Sequence, residues 1–357
     1  MPIAGLVRLR KHQLGRQATF GTKVAATRAY PFTGVPDTDL QWEDPEVDAG
    51  TLTITAPPER GAGSFTADLT VNSLDYNTAA LLMCGFWGGE ESPTGAGTAR
   101  TWTHDPDVTV AQVQDFYTYE FGDDVLTDWF QYGDGIIESL ELSGPEGLGP
   151  VTASTNWRFG SASSTGSTDS PVTGTVPTAG LAVSTTDPKV YVKDMSIAIA
   201  SSIAGLGAGT VSDALHSFTL RFSGDVDEKR YANGTQSFAL DDIGRVSLAV
   251  ELEATWAKTS DIVGTGSESD AWFSDDAVNR YVRLTFTSTT EAQSGTPYSW
   301  TMTMPMRYYT REEGDIGGNT TVVLTGRAFY DPTDFTGFFS SVLVNTLSNN
   351  AMGEAAS

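Results

Sequence analysis

The sequence has one cysteine and three histidines among 357 residues. A single cysteine, Cys84, excludes an intramolecular disulfide and any metal site built from several thiolates. Cys84 lies in the apolar run 81–87, which favours a buried structural thiol over a reactive one. His12, His104 and His216 are far apart in the chain, and none belongs to a motif with metal-ligand spacing. We therefore predict no metal site.

The sequence also lacks long apolar runs and catalytic motifs. No segment approaches the ~20 continuous apolar residues that span a bilayer. The N-terminal residues 1–8 contain neither an apolar core nor the small-residue cleavage site of a secretory signal, so we expect synthesis in the cytoplasm and no membrane association. No nucleophile elbow, phosphate-binding loop or zinc-protease motif occurs. We predict that the protein is not an enzyme, has no catalytic residues and binds no cofactor; bound calcium stays open, because the acidic loops match no calcium-binding spacing.

Basic residues are scarce and unevenly placed. The chain has 21 Lys and Arg against 45 Asp and Glu, a net charge of −24. Residues 1–36 hold six basic side chains and no acidic one, so this segment carries +6 and the remaining 321 residues carry −30. We predict a basic N-terminal arm over 1–36 that lies on an acidic surface, such as that of another copy; a solvated tail is the alternative. An acidic body argues against tight binding of nucleic acid.

Apolar and polar residues alternate with a period of two through most of the chain, which predicts half-buried antiparallel strands. Within 247–256, one face carries Leu248, Val250, Leu252, Ala254 and Trp256, and the other carries Glu251 and Glu253. The same alternation occurs in 64–71 (where Asp68 lies on the polar face), 136–143, 195–200, 217–223, 281–287, 299–306 and 321–329. The fold class is therefore mainly β.

Only one stretch, about 73–86, has the spacing of a helix. Asn72 or Ser73 is the expected N-cap, and Gly88-Gly89 is the expected end.

The chain divides into two similar halves. The segment 161–187 is rich in Ser, Thr, Gly and Pro, and predicts a linker or a long loop. Residues 64–70 match 247–253 in pattern, and each half ends in an aromatic strand with an arginine, Arg158 or Arg327. We predict that the chain has five parts: the arm 1–36, a first β domain 37–160, the linker 161–187, a second β domain 188–345 and a C-terminal tail 346–357.

Several stretches resemble the major tail tube proteins of long-tailed, siphovirus-type bacteriophages. The clearest is LGRQATFGTKVAAT at 14–27, and YTYEFGD at 117–123 with YGDGIIESL at 132–140 is similar to the same family. A third likeness runs from KDMS at 193–196 to LHSFTL at 215–220. The resemblance covers about 14–345.

The resemblance implies two tandem β-sandwich or partly closed barrel domains, each of the tail-tube type, with a short flanking helix. Such subunits oligomerise into rings that stack into a hollow tube in the virion tail, through which DNA passes without tight binding. Their partners are further copies of the chain, a tape measure protein, a tail terminator and a baseplate. A trimer in which each chain supplies two ring positions, and a hexamer in which one half decorates the tube, both remain open.

Two groups of residues acquire roles from this resemblance. Arg8, Arg10, Lys11 and Arg16 are candidates for contacts with the adjacent ring, so deletion of residues 1–16 is expected to abolish tube formation and leave the monomer folded. The polar strand-face residues Asp68, Glu251 and Glu253 are candidates for the lumen, where Asp, Glu, Ser and Thr would avoid holding DNA phosphates.

Two other classes fit the composition. One is a different virion structural protein, such as a capsid decoration or baseplate protein. The other is a carbohydrate-binding β-sandwich, in which exposed tryptophans would stack on sugars, although packing in the core is the commoner use of that side chain.

Overall fold

The computed structural model describes residues 10–18, 20–43, 59–88, 93–95, 97–108, 115–123, 128–164, 181–207, 214–226, 245–258 and 279–347. These residues form a mainly β protein, as the alternation predicted, in an antiparallel sheet that is not closed into a barrel. The strands are β1 Arg10–Gln17, β2 Arg28–Tyr30, β3 Pro36–Glu43, β4 Glu59–Val71, β5 Arg100–His104, β6 Phe116–Asp123, β7 Asp128–Gly144, β8 Thr152–Phe159, β9 Ser161–Ser164, β10 Met195–Ala200, β11 Leu215–Val226, β12 Arg245–Ala257, β13 Arg280–Gln293, β14 Thr296–Ile316, β15 Asn319–Ala328 and β16 Ser340–Asn345. The one α-helix is α1, Tyr76–Trp87, and short 3-10 turns occur at Val192–Asp194 and Ala204–Gly207.

Seven of the eight predicted alternating runs lie within one of these strands, and the eighth, 321–329, extends one residue past the end of β15. Most of the apolar side chains on the predicted inner faces are buried. In β12, Val250, Leu252, Ala254 and Trp256 are all buried. The apolar faces of β4 and β14 are buried in the same way. The sequence pattern therefore specified the inward face of these strands correctly, because side chains alternate across a strand.

Eight strands form one continuous path, here called the central sheet. Its order is β14-β15-β12-β11-β7-β8-β4-β3. Two long strands also leave this sheet. The first part of β7 pairs with β6 and only its second part pairs with β8. The first part of β14 pairs with β13 and its second part with β15.

Two flanking sheets cover the apolar face of the central sheet. One contains β2, β1, β6, the first part of β7, and β9. The other contains β10, β13, the first part of β14, β16 and β5. Aromatic rings join the layers: Tyr119 stacks on Phe159 at 5.5 Å, and Phe218 lies 6.1 Å from Phe286. Strands from both sequence halves share one apolar core.

Helix α1 is buried on all sides. Each of its twelve residues is buried. The helix packs against β7 on one side and against β16, β5 and β14 on the other, so it lies between the two halves. A helix that is apolar all round is stable only in such a position.

The N-terminal boundary of the helix differs from the prediction. Asp75, and not Asn72 or Ser73, is the N-cap, because its Oδ1 accepts a hydrogen bond from the Thr78 backbone N–H at 2.7 Å. Gly88 ends the helix at φ 69°, within the predicted stop at 88–89. Just before the cap, Leu74 forms backbone hydrogen bonds with two other segments of the same chain. Its N–H donates to the Val151 carbonyl, and its carbonyl accepts from the Val190 N–H.

Part of the predicted arm and part of the predicted linker belong to the folded body. Within 1–36, β1 pairs along its whole length with β6, so 10–17 is sheet rather than arm. Within 161–187, residues 161–164 form β9, and Asp187 accepts a hydrogen bond from Arg28 at 2.6 Å. Residues 1–9, 165–180 and 348–357 lie outside the described residues.

Candidate assembly surface

The two halves of the chain repeat the same topology. The N-terminal unit (β1, β3, β4, β6, β7, β8 and β9) has the pairing order β3-β4-β8-β7-β6-β1. The C-terminal unit (β10 to β16) has the order β11-β12-β15-β14-β13-β10. In addition, β9 pairs with β7 as β16 pairs with β14. Seven strands therefore recur in the same chain order with the same neighbours.

A shared irregularity supports the equivalence of the two units. The β7–β8 ladder has a register shift between Ile137 and Ser139, and the β14–β15 ladder has one between Tyr308 and Thr310. With Arg158 aligned to Arg327, as the sequence match suggested, the two bulges coincide. A bulge at one defined position re-aims a strand, and it is a designed feature more often than an accident. Here each bulge lies where the strand enters the central sheet.

The two units meet at one ladder, here called the internal joint. Six residues of β11, Phe218 to Ser223, pair with Gly144 to Ser139 of β7. On the polar side of the joint, Arg221 Nε donates to Glu141 Oε2 at 3.0 Å across the two units. Its Nη1 donates to Glu253 Oε2 at 3.0 Å and lies 3.6 Å from Glu251 Oε1. The hydrogen bond to Glu253 raises the pKa of Arg221.

Aromatic side chains close the internal joint on its buried side. The Phe222 ring lies edge-on to Trp87 at 5.9 Å and to Phe339 at 5.2 Å. Trp87 and Phe339 stack on each other at 5.3 Å. On its buried side the joint is thus closed by aromatic contacts between α1 and the C-terminal half of the chain, and on its polar side it is covered by the ion-pair cluster of Arg221.

The two ends of the central sheet are open edges. Within the described residues, β3 pairs only with β4, and the part of β14 after Tyr308 pairs only with β15. The strand equivalent to β3 is β11, and the strand equivalent to β14 is β7; these are the two strands that form the internal joint. The two open edges of the central sheet are therefore equivalent to the two strands that pair with each other at the internal joint.

The three polar strand-face residues predicted from the sequence lie on one surface. Asp68, Glu251 and Glu253 all project from the face of the central sheet opposite the core, here called the polar face. Glu251 and Glu253, in the C-terminal unit, both lie close to Arg221. Asp68 belongs to the N-terminal unit and accepts a hydrogen bond from Asn156 Nδ2 at 2.7 Å. Arg221, the residue that organises the cluster, was missed by the sequence reading.

Carboxylates outnumber guanidinium groups on the polar face. Among the described side chains, the carboxylates are Asp37, Asp68, Glu138, Glu141, Glu251, Glu253 and Glu312, and the guanidinium groups are Arg158, Arg221, Arg307 and Arg327. Several are paired: Arg158 Nε lies 2.6 Å from Glu138 Oε1, and the Tyr309 hydroxyl donates to Glu251 at 2.6 Å. Serine and threonine occupy many of the positions between them.

The stretch at 14–27 that carried the family resemblance folds over β1, β6 and β7. The Gly21 N–H donates to Asp134 Oδ1 at 2.7 Å, and the Val24 N–H donates to Thr118 Oγ1 at 2.9 Å. Lys23 Nζ reaches the Gln131 carbonyl at 3.3 Å, and burial lowers its pKa to about 8. The two resembling stretches, 14–27 and 132–140, are therefore in contact.

The predicted inter-ring residues have partners within their own chain. Arg16 Nη2 donates to Asp115 Oδ1 at 2.8 Å, and the Arg10 guanidinium lies 5.6 Å from the centre of the Phe121 ring. Lys11 lies beside Arg10 in β1 and is half-buried. Arg8 lies outside the described residues. Of the described residues, Arg10 and Arg16 thus each contact a different side chain of their own chain.

Other possible sites are few in the described part of the chain. A cleft of about 450 Å³ opens between 105–107 and the loop 330–340, and it is lined mainly by polar atoms. The described residues contain no group of three or more His, Cys, Asp and Glu that could hold a metal ion. Likewise, no helix in them is long and apolar enough to cross a membrane. The chain matches no protein-family model, and a search of curated proteins found no similar sequence.

Proposed function

We propose that this chain is a structural virion protein that oligomerises into stacked rings and forms the hollow tail tube of a siphovirus-type bacteriophage. One observation carries the proposal: the internal joint links two units of the same topology into one sheet, and the sheet ends in the same two kinds of edge. A sheet of this kind can add further copies through the contact it already contains. Heterologous contacts that repeat in this way generate a closed ring when the rotation closes.

Three chains per ring fit the repeat better than six. Both units place four strands in the central sheet, so one chain fills two equivalent positions. Three copies with eight strands each would place 24 strands in the wall. In a hexamer, one unit would form the tube and the other would only decorate it. That arrangement does not explain why both units contribute strands to the same continuous sheet.

The chemistry of the polar face suits a channel for DNA. Phosphate affinity depends on Lys and Arg that are free to replace counterions. On this face Arg221 and Arg158 are already bound by carboxylates, and carboxylates exceed arginines. We propose that the polar face lines the lumen, with Asp68, Glu251 and Glu253 exposed to it, and that DNA passes without tight binding.

The remaining partners follow from the same role. The tape measure protein would occupy the lumen before ejection, and the tail terminator and baseplate would bind the two ends of the tube. Arg8, Arg10, Lys11 and Arg16 remain proposed contacts with the adjacent ring. The place of action is the virion tail.

Negative-stain microscopy of the purified chain at increasing concentration tests the proposal. We expect long hollow tubes with a regular axial repeat. Isolated rings or flat lattices would favour a capsid decoration or baseplate protein instead. A chain that stays monomeric and binds immobilised glycans would favour the carbohydrate-binding alternative.

A further inference from the structure

We infer that Arg307 and Arg327 form a binding site for a phosphate group of DNA on the polar face. The two residues are direct cross-strand neighbours in the β14–β15 ladder, and both are exposed. This inference rests on the proposed function, because DNA is taken as the ligand from the proposed role of the polar face as the wall of a channel. It adds one weak contact for each chain to a wall that otherwise does not hold DNA.

The equivalent place in the N-terminal unit has the same backbone pairing but holds only one arginine. Arg158 occupies the position of Arg327, and its partner in the β7–β8 ladder is Ile136. The partner of Arg327 in the β14–β15 ladder is Arg307. Like charges directly opposite each other on two strands are destabilising. The C-terminal unit therefore carries a second cation, with its electrostatic cost, at a position where the same fold accepts an apolar side chain.

The bulged residue in each ladder determines whether the shared arginine is neutralised. In the N-terminal unit this residue is Glu138, whose Oε1 lies 2.6 Å from Arg158 Nε. In the C-terminal unit it is Tyr309, which carries no charge and whose hydroxyl donates to Glu251 Oε2 at 2.6 Å. The C-terminal unit thus lacks the carboxylate that binds the equivalent arginine of the other unit.

Glu251 lies beside Arg327 but does not take the place of that carboxylate. It is the neighbour of Arg327 on β12, on the side away from Arg307. Its carboxylate accepts from Tyr309 and lies 3.6 Å from Arg221 Nη1. Among the described residues, no carboxylate forms an ion pair with Arg307 or Arg327. The two guanidinium groups therefore differ from those of the other arginines on the polar face that carboxylates bind.

Two adjacent guanidinium groups are suited to a phosphate ligand. A guanidinium presents its N–H donors in a planar fork that matches two phosphate oxygens. Arg307 Nη2 donates to Asn279 Oδ1 at 2.9 Å, and within the described part of the chain its other donors are available to a ligand. The DNA backbone is the phosphate source that the proposed channel supplies. Because the site adds only two cations to a chain of net charge −24, the contact is weak and releases DNA readily.

NMR titration of a short DNA duplex into the unassembled chain, with isotope-labelled arginine side chains, tests the site. The Nε–Hε signals of Arg307 and Arg327 should shift together, whereas those of Arg158 and Arg221 should not, because carboxylates already bind them. Arg327→Gln should weaken binding about threefold. It should also reduce the salt dependence, the slope of log K against log salt, by about 0.9. Arg158→Gln, the same change at the equivalent position, is the matched control and should leave both values unchanged.

Tyr309→Glu tests the role of the bulged residue without removing an arginine. It should rebuild the ion pair of the N-terminal unit and abolish the shifts of Arg307 and Arg327. Tyr309 is 53% exposed, so the circular dichroism of this variant should match that of wild type. Shifts that persist in Tyr309→Glu, or an equal loss of binding in Arg158→Gln and Arg327→Gln, would overturn the site.

Two further ligands identify the source of the anion. At equal ionic strength, inorganic phosphate and a peptide of glutamates should each bind less tightly than the duplex. Tighter binding of either would overturn the assignment to DNA, in favour of a free anion or an acidic protein segment. Unshifted signals in a chain that forms tubes would overturn the site and leave the proposed function standing. A chain that binds the duplex but never forms tubes would overturn the proposed function and leave the site standing.

Discussion

Arg221 is the residue that most directly connects the two units. It binds Glu141 of one unit and Glu253 of the other with hydrogen bonds of 3.0 Å each. Its side chain is 41% exposed and that of Glu141 is 43% exposed, so solvent screens the pair. Ion pairs in such positions usually contribute about 0.2–1 kcal/mol. The cluster therefore fixes the register of the internal joint more than it adds stability.

A double-mutant cycle measures this contribution. Arg221→Gln, Glu141→Gln and the double variant should show a coupling of about 0.5 kcal/mol in the free energy of unfolding, and the coupling should fall as salt is added. The same cycle on Arg158 and Glu138, which pair within one unit, is the control. If the Arg221 coupling is zero at low salt, the ion pair across the joint is not formed in solution.

His104 makes the stability of the fold depend on pH. Burial lowers the pKa of His104 to about 4, and among the described residues its Nδ1 has no hydrogen-bond partner. Between about pH 6.5 and pH 4 the unfolded chain therefore binds one proton that the folded chain excludes. The free energy of unfolding should fall by up to about 1.4 kcal/mol per pH unit from this residue as pH drops through that window.

His104→Gln should remove this one-proton slope. Chemical denaturation at pH 7, 6 and 5 measures it, with His216→Gln, a partly exposed histidine, as the matched variant. Burial raises the pKa of Glu120 and of Asp134, which acts in the opposite direction, so the difference between variant and wild type is the relevant quantity. An unchanged slope in His104→Gln would show that the imidazole is accessible to solvent.

Individual residues were predictable from the sequence only where their environment is local. Asp68, Glu251 and Glu253 could be assigned to polar strand faces, because alternation is a property of neighbouring residues. Arg221 could not be identified, because its partner Glu141 lies 80 residues away and no motif joins them. The contact between Gly21 and Asp134, 113 residues apart, was hidden for the same reason.

At the scale of elements, α1 depends on its N-terminal cap. Asp75 Oδ1 accepts from the Thr78 N–H, and Asp75 Oδ2 lies 3.3 Å from Lys189 Nζ. The cap thus ties the helix to the segment that leads into the C-terminal unit. The sequence indicated the helix and its glycine stop, but several polar residues precede the helix, and tertiary contacts decided which of them became the cap.

Asp75→Ala should lower the free energy of unfolding by about 1–2 kcal/mol, since it leaves orphan N–H groups and the Lys189 ammonium without their acceptor. Asp75→Asn, which keeps an oxygen acceptor and loses the charge, should cost less. Urea denaturation followed by tryptophan fluorescence gives both values. Equal losses in the two variants would show that the charge, and not the cap, matters.

Because β1 begins at Arg10, a test of the N-terminal arm must use a deletion that ends before this strand. Deletion of 1–16 removes a strand that pairs with β6 along its whole length and contributes the buried Leu14, so it should unfold the protein. Deletion of 1–9 retains β1 and removes Arg8 alone among the predicted inter-ring residues. We expect the shorter deletion to leave the thermal midpoint of the monomer within about 2 °C of wild type and to weaken tube formation. Tubes as long and as numerous as those of wild type would exclude a role for this segment in stacking.

At the scale of the molecule, the repeat is far clearer in topology than in sequence. Equivalent positions now carry unlike residues: Gly326 occupies the position of Trp157, and Thr325 occupies the position of Asn156. Strand order, strand pairing and the bulge have been retained while the side chains diverged. For this reason only two faint matches are visible in the sequence, whereas the pairing pattern relates all seven strands.

The same pattern underlies the proposed architecture of the assembly. If the internal joint is repeated between chains, each chain fills two equivalent positions of one ring. The polar faces of all copies then point to the same side of the wall. Stacking then requires only that the two rims of a ring fit each other. The central claim is that three chains form a ring whose lumen is lined by the polar face.

Cryo-electron microscopy of the assembled tube tests this claim most directly. The account predicts rings of three chains with a pseudo-sixfold wall, in which Asp68, Glu251 and Glu253 face the channel. A wall in which the polar face points outward, or a ring built from six chains through one unit only, would contradict it.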